Sequence, residues 1–190
     1  MTVAARPRHK LHSFPTETLQ MFVRLPPARQ SLLYEYPDPD DLVVQLTELG
    51  LLTETTRLLA CTLPEREAVW WGCMCVTHTA PPDSPPIERE ALEAAEAWVR
   101  QPGAPGCYER ALTTAQACNG APPSWVGLAI CWSQRLRKPN HGAARGVEAA
   151  ISRAAVRTTP EHRAERLQRF IASGRDIATG GAGRLPPAAG

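Results

Sequence analysis

Leu63-Pro64-Glu65-Arg66-Glu67-Ala68-Val69-Trp70-Trp71-Gly72-Cys73-Met74-Cys75-Val76-Thr77-His78 is the stretch whose reading decides the fold. From Ala68 to Val76 no side chain is charged, and a helix that is apolar all round belongs inside a protein or a membrane. A membrane span needs about 20 such residues, so this run reads as the core helix of a globular domain, with other helices packed around it. Pro64 suits the first turn, where its missing N–H costs nothing, and Glu65 and Glu67 lie where the helix dipole favours acids.

The rest of the chain is read outward from that helix. At 190 residues and 20.7 kDa there is enough chain for one domain with a single core. Twenty-one Lys and Arg against 19 Asp and Glu leave a formal charge of +2, which supplies no global field toward nucleic acid or an anionic membrane. The six cysteines, Cys61, Cys73, Cys75, Cys107, Cys118 and Cys131, fall within apolar helical patterns and read as small core residues. The first ten residues are basic but precede no apolar run, so no secretory signal is expected and the expected location is cytoplasmic.

Upstream, residues 1–15 carry Arg6, Arg8 and Lys10 without an acid and read as a flexible basic arm. Thr16 opens a short helix carrying Leu19, Phe22 and Val23, and a second short apolar run follows from Gln30 to Tyr36. From Asp40 the spacing of Leu42, Val43, Leu46 and Leu49 predicts a helix with its C-cap at Gly50. Leu51, Leu52, Leu58 and Leu59 supply the core face of the next.

Downstream, Pro81, Pro82, Pro85 and Pro86 predict a stiff extended connection. Ile87, Ala91, Leu92, Ala95, Trp98 and Val99 form one apolar stripe opposite Glu88, Arg89, Glu90, Glu93 and Glu96. Tyr108, Ala111, Leu112, Ala115 and Cys118 form the next stripe, ended by Asn119-Gly120. Pro122-Pro123-Ser124 opens a helix read as presenting Trp125, Leu128, Ala129, Trp132 and Leu136. Val147, Ala150, Ile151 and Ala154 predict another, and Thr159-Pro160 starts the last, whose core face is Ala164, Leu167, Phe170, Ile171, Ile177 and Ala178. The reading is an all-α, compact bundle of about eight helices, with a short α-solenoid of helix pairs as the alternative. The domain spans 16–179, and 180–190 reads as a disordered tail rich in Gly and Pro.

Three clusters are candidates for chemistry. Cys73, Cys75 and His78 have metal-ligand residue types, but Cys73 and Cys75 point about 200° apart on a helix, so buried thiols are the preferred reading. Arg66, Glu67 and Trp70 place a charged pair beside an aromatic wall and form a candidate pocket, weighed against a role in packing. Arg135, Arg137, Lys138, His141 and Arg145 form the densest local charge. With Trp132 near, they fit a nucleic-acid surface, an acidic protein partner or a solvated helix end. The balanced net charge disfavours nucleic acid, which leaves them as partner-binding candidates. The sequence contains no G-x-S-x-G, Walker loop, H-E-x-x-H or dinucleotide fingerprint. No enzyme activity, catalytic residue, cofactor, metal or membrane association is therefore expected.

The motif Leu63-Pro64-x-Arg66-Glu67-Ala68-Val69-Trp70-Trp71 resembles one found in an uncharacterised family of bacterial all-helical proteins, some encoded beside type VI secretion spike genes. The resemblance extends over about residues 37–180. It implies a non-catalytic, protein-binding adaptor or chaperone-like accessory protein, with a secreted effector or a secretion spike component as partner. The alternative, from a different class, is a small-molecule or metal-binding enzyme with a site near Arg66, Glu67, Cys75 and His78.

Overall fold

A computed structural model describes residues 9–135 and 141–185, with the backbone alone for residues 134, 135 and 141. Ten α-helices occur among the described residues: α1 Thr16–Val23, α2 Leu32–Glu35, α3 Pro39–Glu48, α4 Leu52–Thr62, α5 Glu65–His78, α6 Pro86–Arg100, α7 Cys107–Ala117, α8 Pro122–Arg135, α9 His141–Val156 and α10 Arg163–Ala178. Two 3-10 turns, Pro27–Arg29 and Pro160–His162, join them, and no strand is present among the described residues. The count exceeds the expected eight; the short helix read at Thr16 is α1, and the apolar run from Gln30 to Tyr36 holds the four-residue α2.

Helix α5 packs against α4, α6, α8, α9 and α10. It buries Ala68, Val69, Trp71, Gly72, Cys73, Cys75 and Val76, as an all-round apolar helix must. Its centrality is shared with α9, which contacts α4, α5, α8 and α10. Contacts of α4 with both α9 and α10 bring elements far apart in the chain together, which a stack of nearest-neighbour helix pairs does not do. The compact arrangement therefore replaces the solenoid alternative.

Helix α4 is more buried than its sequence suggests. Thr55, Thr56 and Thr62 join its leucines in the interior because their hydroxyls donate to the carbonyls of Leu51, Leu52 and Leu58 at 2.8–2.9 Å, leaving only methyl groups to face the core. Helix α8 is rotated from the expected face. It buries Val126, Ala129, Ile130 and Cys131, while Trp125, Leu128 and Trp132 are only partly covered. The reason is close approach: a Cβ on Gly127 would lie 2.8 Å from the Ala111 carbonyl of α7, and one on Gly146 of α9 would lie 2.7 Å from the Cα of Ala129. Bulky indoles do not fit between backbones so near. They stack edge to face at the side instead, with Arg153 4.5 Å over the Trp125 ring.

Local stops fall where turn chemistry places them. Gly50, at φ +71°, closes α3 as a Schellman motif, with Gly50 N–H donating to Thr47 O and Leu51 N–H to Leu46 O. Pro64 stands one residue before α5 as its N-cap. The proline-rich connection before α6 is not fully extended, because Ser84 N–H turns back to donate to Pro81 O at 3.1 Å.

Both chain ends depart from the expected loose segments within the described residues. Leu11 is buried, Lys10 N–H donates to Ala178 O at 2.8 Å, and His12 N–H donates to Thr62 O at 2.7 Å, so residues 9–15 form a strap across α4 and α10. After α10, Gly181 N–H donates to Asp176 O, and Gly183 bonds both Asp176 and Ser173, at 2.8 and 2.6 Å. Residues 180–185 thus fold back on the domain, with Leu185 against the core. The remainder of the expected arm and tail, 1–8 and 186–190, lies outside the described residues.

Candidate functional site

The first turns of α5 place Arg66, Glu67 and Trp70 on the molecular surface. Arg66 and Trp70 are four residues apart and share one helix face, with Glu67 beside them. The structure brings all three into one open groove of about 390 Å³, at the lower end of the range for small-ligand sites. Trp70 is half-buried, and with the nearly covered Val99 of α6 and Ile177 of α10 it forms an apolar floor. Lys10 of the strap, Arg66 and Arg100 stand exposed around it, and Gly181 closes one end.

Ion pairing in the groove differs from the neighbouring pair expected from sequence. Glu67 takes its cation from the strap, with Lys10 Nζ 3.3 Å from Glu67 Oε1. Arg100 pairs with Glu96 at 3.6 Å along its own helix. Arg66 makes no ion pair among the described residues. The indole N–H of Trp70 donates to Ala182 O at 3.0 Å, which fixes the ring against the returning C-terminal segment. A hydrophobic floor bordered by three cations and one acid can receive an apolar side chain flanked by negative charge.

Cys75 and His78 do not belong to this groove. Cys75 is fully buried, and burial, with Cys73 adjacent, raises its thiol well above the ordinary value. Burial likewise pushes Cys61 up to about 12. His78 sits edge-on to Phe170, 6.1 Å between ring centroids, and burial and the charges of Arg169 and Arg166 lower its pKa. The four residues named for the enzyme alternative are therefore not assembled at one surface. No cluster of three or more His, Cys, Asp or Glu able to hold a metal ion occurs among the described residues.

Of the basic cluster, Arg137 and Lys138, with the side chains of Arg135 and His141, lie outside the described residues. Arg145 is exposed on α9 and lines a second, smaller pocket with Arg24 and Arg57. Sequence reasoning missed Lys10, Val99, Arg100 and Ile177 in the groove, and Arg24 and Arg57 beside Arg145. No local pattern links positions so far apart in the chain.

Among the described residues, fold and groove define an all-helical domain with a mixed apolar and cationic recess bordered by the strap 9–15 and the returning segment 180–185. No helix among the described residues is long and apolar enough to cross a membrane. The chain belongs to a family of unknown function, DUF6931, matched over residues 42–178. That span contains Arg66, Glu67, Trp70, Val99, Arg100 and Ile177 of the groove, while Lys10 and Gly181 lie beyond it. No curated protein and no solved structure matches the chain.

Proposed function

We propose that this protein is a non-catalytic adaptor that binds another protein through the groove floored by Trp70. The observation that carries the reading is the groove's composition. A half-buried tryptophan among aliphatic neighbours, bordered by arginine and lysine, is the residue mixture from which protein-binding anchors are built. The charged groups lining the groove are Lys10, Arg66, Glu67 and Arg100, and Glu67 and Lys10 are paired with each other at 3.3 Å. The resemblance carried by Leu63 to Trp71 extends the proposal to a partner class: a secreted effector or a spike component of a type VI secretion system.

Affinity purification of the chain from its native host, followed by mass spectrometry, tests this. The expected result is reproducible recovery of a secretion component with the wild-type chain and its loss with the Lys10→Glu, Arg66→Glu double variant. Recovery of no secretion component defeats the assignment to that system. Recovery undiminished by the double variant defeats the groove as the binding surface.

A further inference from the structure

A second recess, of about 190 Å³, lies where the end of α1 meets α4 and α9. Three arginines from three elements line it, Arg24 after α1, Arg57 of α4 and Arg145 of α9, together with one carboxylate, Glu148. We propose that this recess is an oxyanion site for phosphate, either the free ion or a phosphate monoester.

Three observations carry it. The first concerns Arg57, whose side chain is only 27% exposed. Its ion-pair contacts are 3.9 Å to Glu54 and 3.8 Å to Glu148, beyond hydrogen-bonding reach, so among the described residues no acceptor takes its N–H donors. A guanidinium removed from much of its water with its donors unspent is the fork that an oxyanion satisfies by two parallel bonds. Glu148 is partly engaged elsewhere, accepting from Ser152 Oγ at 3.0 Å.

The second is charge. Arg57 lies between two carboxylates, Glu54 and Glu148, so the three cations at the recess exceed its acids by one charge, and neither Arg24 nor Arg145 has an ion-pair partner among the described residues. A phosphate monoester presents three acceptor oxygens, enough to take donors from three arginines at once, whereas a carboxylate presents two. The third is backbone strain. Arg24 holds φ at +56° in the left-handed region, a position where glycine or asparagine is the unstrained choice. Arginine there keeps a cation at the mouth of the recess at a conformational cost.

Calorimetric titration and thermal unfolding of the full chain test the site, using inorganic phosphate, phenyl phosphate and acetate at one fixed ionic strength. Phosphate or phenyl phosphate is expected to bind once per chain and raise the unfolding midpoint, with acetate having no effect. Tighter binding of phenyl phosphate identifies the ester as the ligand class, and tighter binding of inorganic phosphate identifies the free ion. Arg145→Gln and Arg24→Gly are each expected to weaken binding about tenfold or more, the effect of losing a charge-assisted hydrogen bond. Arg24→Gly is further expected to raise the ligand-free midpoint by relieving the left-handed strain. Arg66→Gln, in the other groove, leaves phosphate binding unchanged. Equal responses to phosphate and acetate, or binding unaffected by both Arg24→Gly and Arg145→Gln, overturn the proposal.

Discussion

Trp71 is the largest fully buried side chain, and its indole N–H donates to the Phe170 carbonyl at 2.7 Å, binding the central helix to α10. The ring lies flush against Gly174, where an added Cβ would come within 2.9 Å of Trp71 Cε2. Alanine at an exposed helical glycine ordinarily stabilises, so the sign of the effect is diagnostic here. Gly174→Ala is expected to destabilise by about 1–3 kcal/mol through overpacking, measured by chemical denaturation. A stabilised variant would mean that the ring has room to move. Trp70, the preceding residue in the chain, lies half-buried in the groove with its N–H on Ala182, and this division between neighbours separates core from groove floor. The sequence marks both as aromatic. Which of the two faces the core depends on the packing of α10, and that contact is not local.

At the scale of single elements, helices whose faces differ sharply in polarity were legible. Ala91, Ala95, Trp98 and Val99 of the α6 stripe and Leu42, Val43 and Leu46 of α3 are buried as their spacing predicts, while Ile87 and Leu92 are half-buried and Leu49 is exposed; α10 buries all but Ala164 of its expected face. Elements whose face is chosen by backbone proximity were not. Helix α8 turns Gly127 inward and its tryptophans aside, and α4 hides threonines whose hydroxyls are satisfied within the helix. Capping of α3 supplies a pH-dependent test. Asp38 accepts from the backbone N–H of Asp40 and Asp41 at 2.9 and 3.2 Å, and His9 lies 3.2 Å from its other oxygen. Burial pushes this carboxyl up, but hydrogen bonds from Asp41, His9 and Asp40, with the charge of His9, together outweigh it and hold the group below its ordinary value. A carboxyl depressed in the folded state contributes stability above its unfolded pKa and loses it as pH falls through the folded value. Asp38→Ala is therefore expected to cost about 1 kcal/mol at neutral pH, as loss of an N-cap does. The difference from wild type should vanish once acid has protonated Asp38. A difference that persists unchanged at low pH contradicts this account of the cap.

At the scale of the whole molecule, segments 9–15 and 180–185 pack onto the helical domain from opposite ends of the described sequence. The strap pairs with Ala178 and Thr62, the returning C-terminal segment bonds to Ser173 and Asp176, and the groove lies between them. Arg66, Glu67 and Trp70 were legible as a group because one helix presents them within about a turn. Lys10, Arg100 and Ile177 join them only through tertiary folding. Leu11→Ala is expected to lower stability by about 2 kcal/mol, read from the denaturant midpoint, because it empties the buried anchor of the strap. A surface-like response, near zero, would contradict a packed strap. The central claim is that Trp70 anchors a protein partner. Calorimetric comparison of wild type with Trp70→Ala, against the partner recovered from the native host and with helicity verified by circular dichroism, tests that claim most directly. The account predicts a loss of about thirtyfold or more in affinity, the effect of removing a buried tryptophan anchor. An unchanged dissociation constant for a folded Trp70→Ala variant would contradict it.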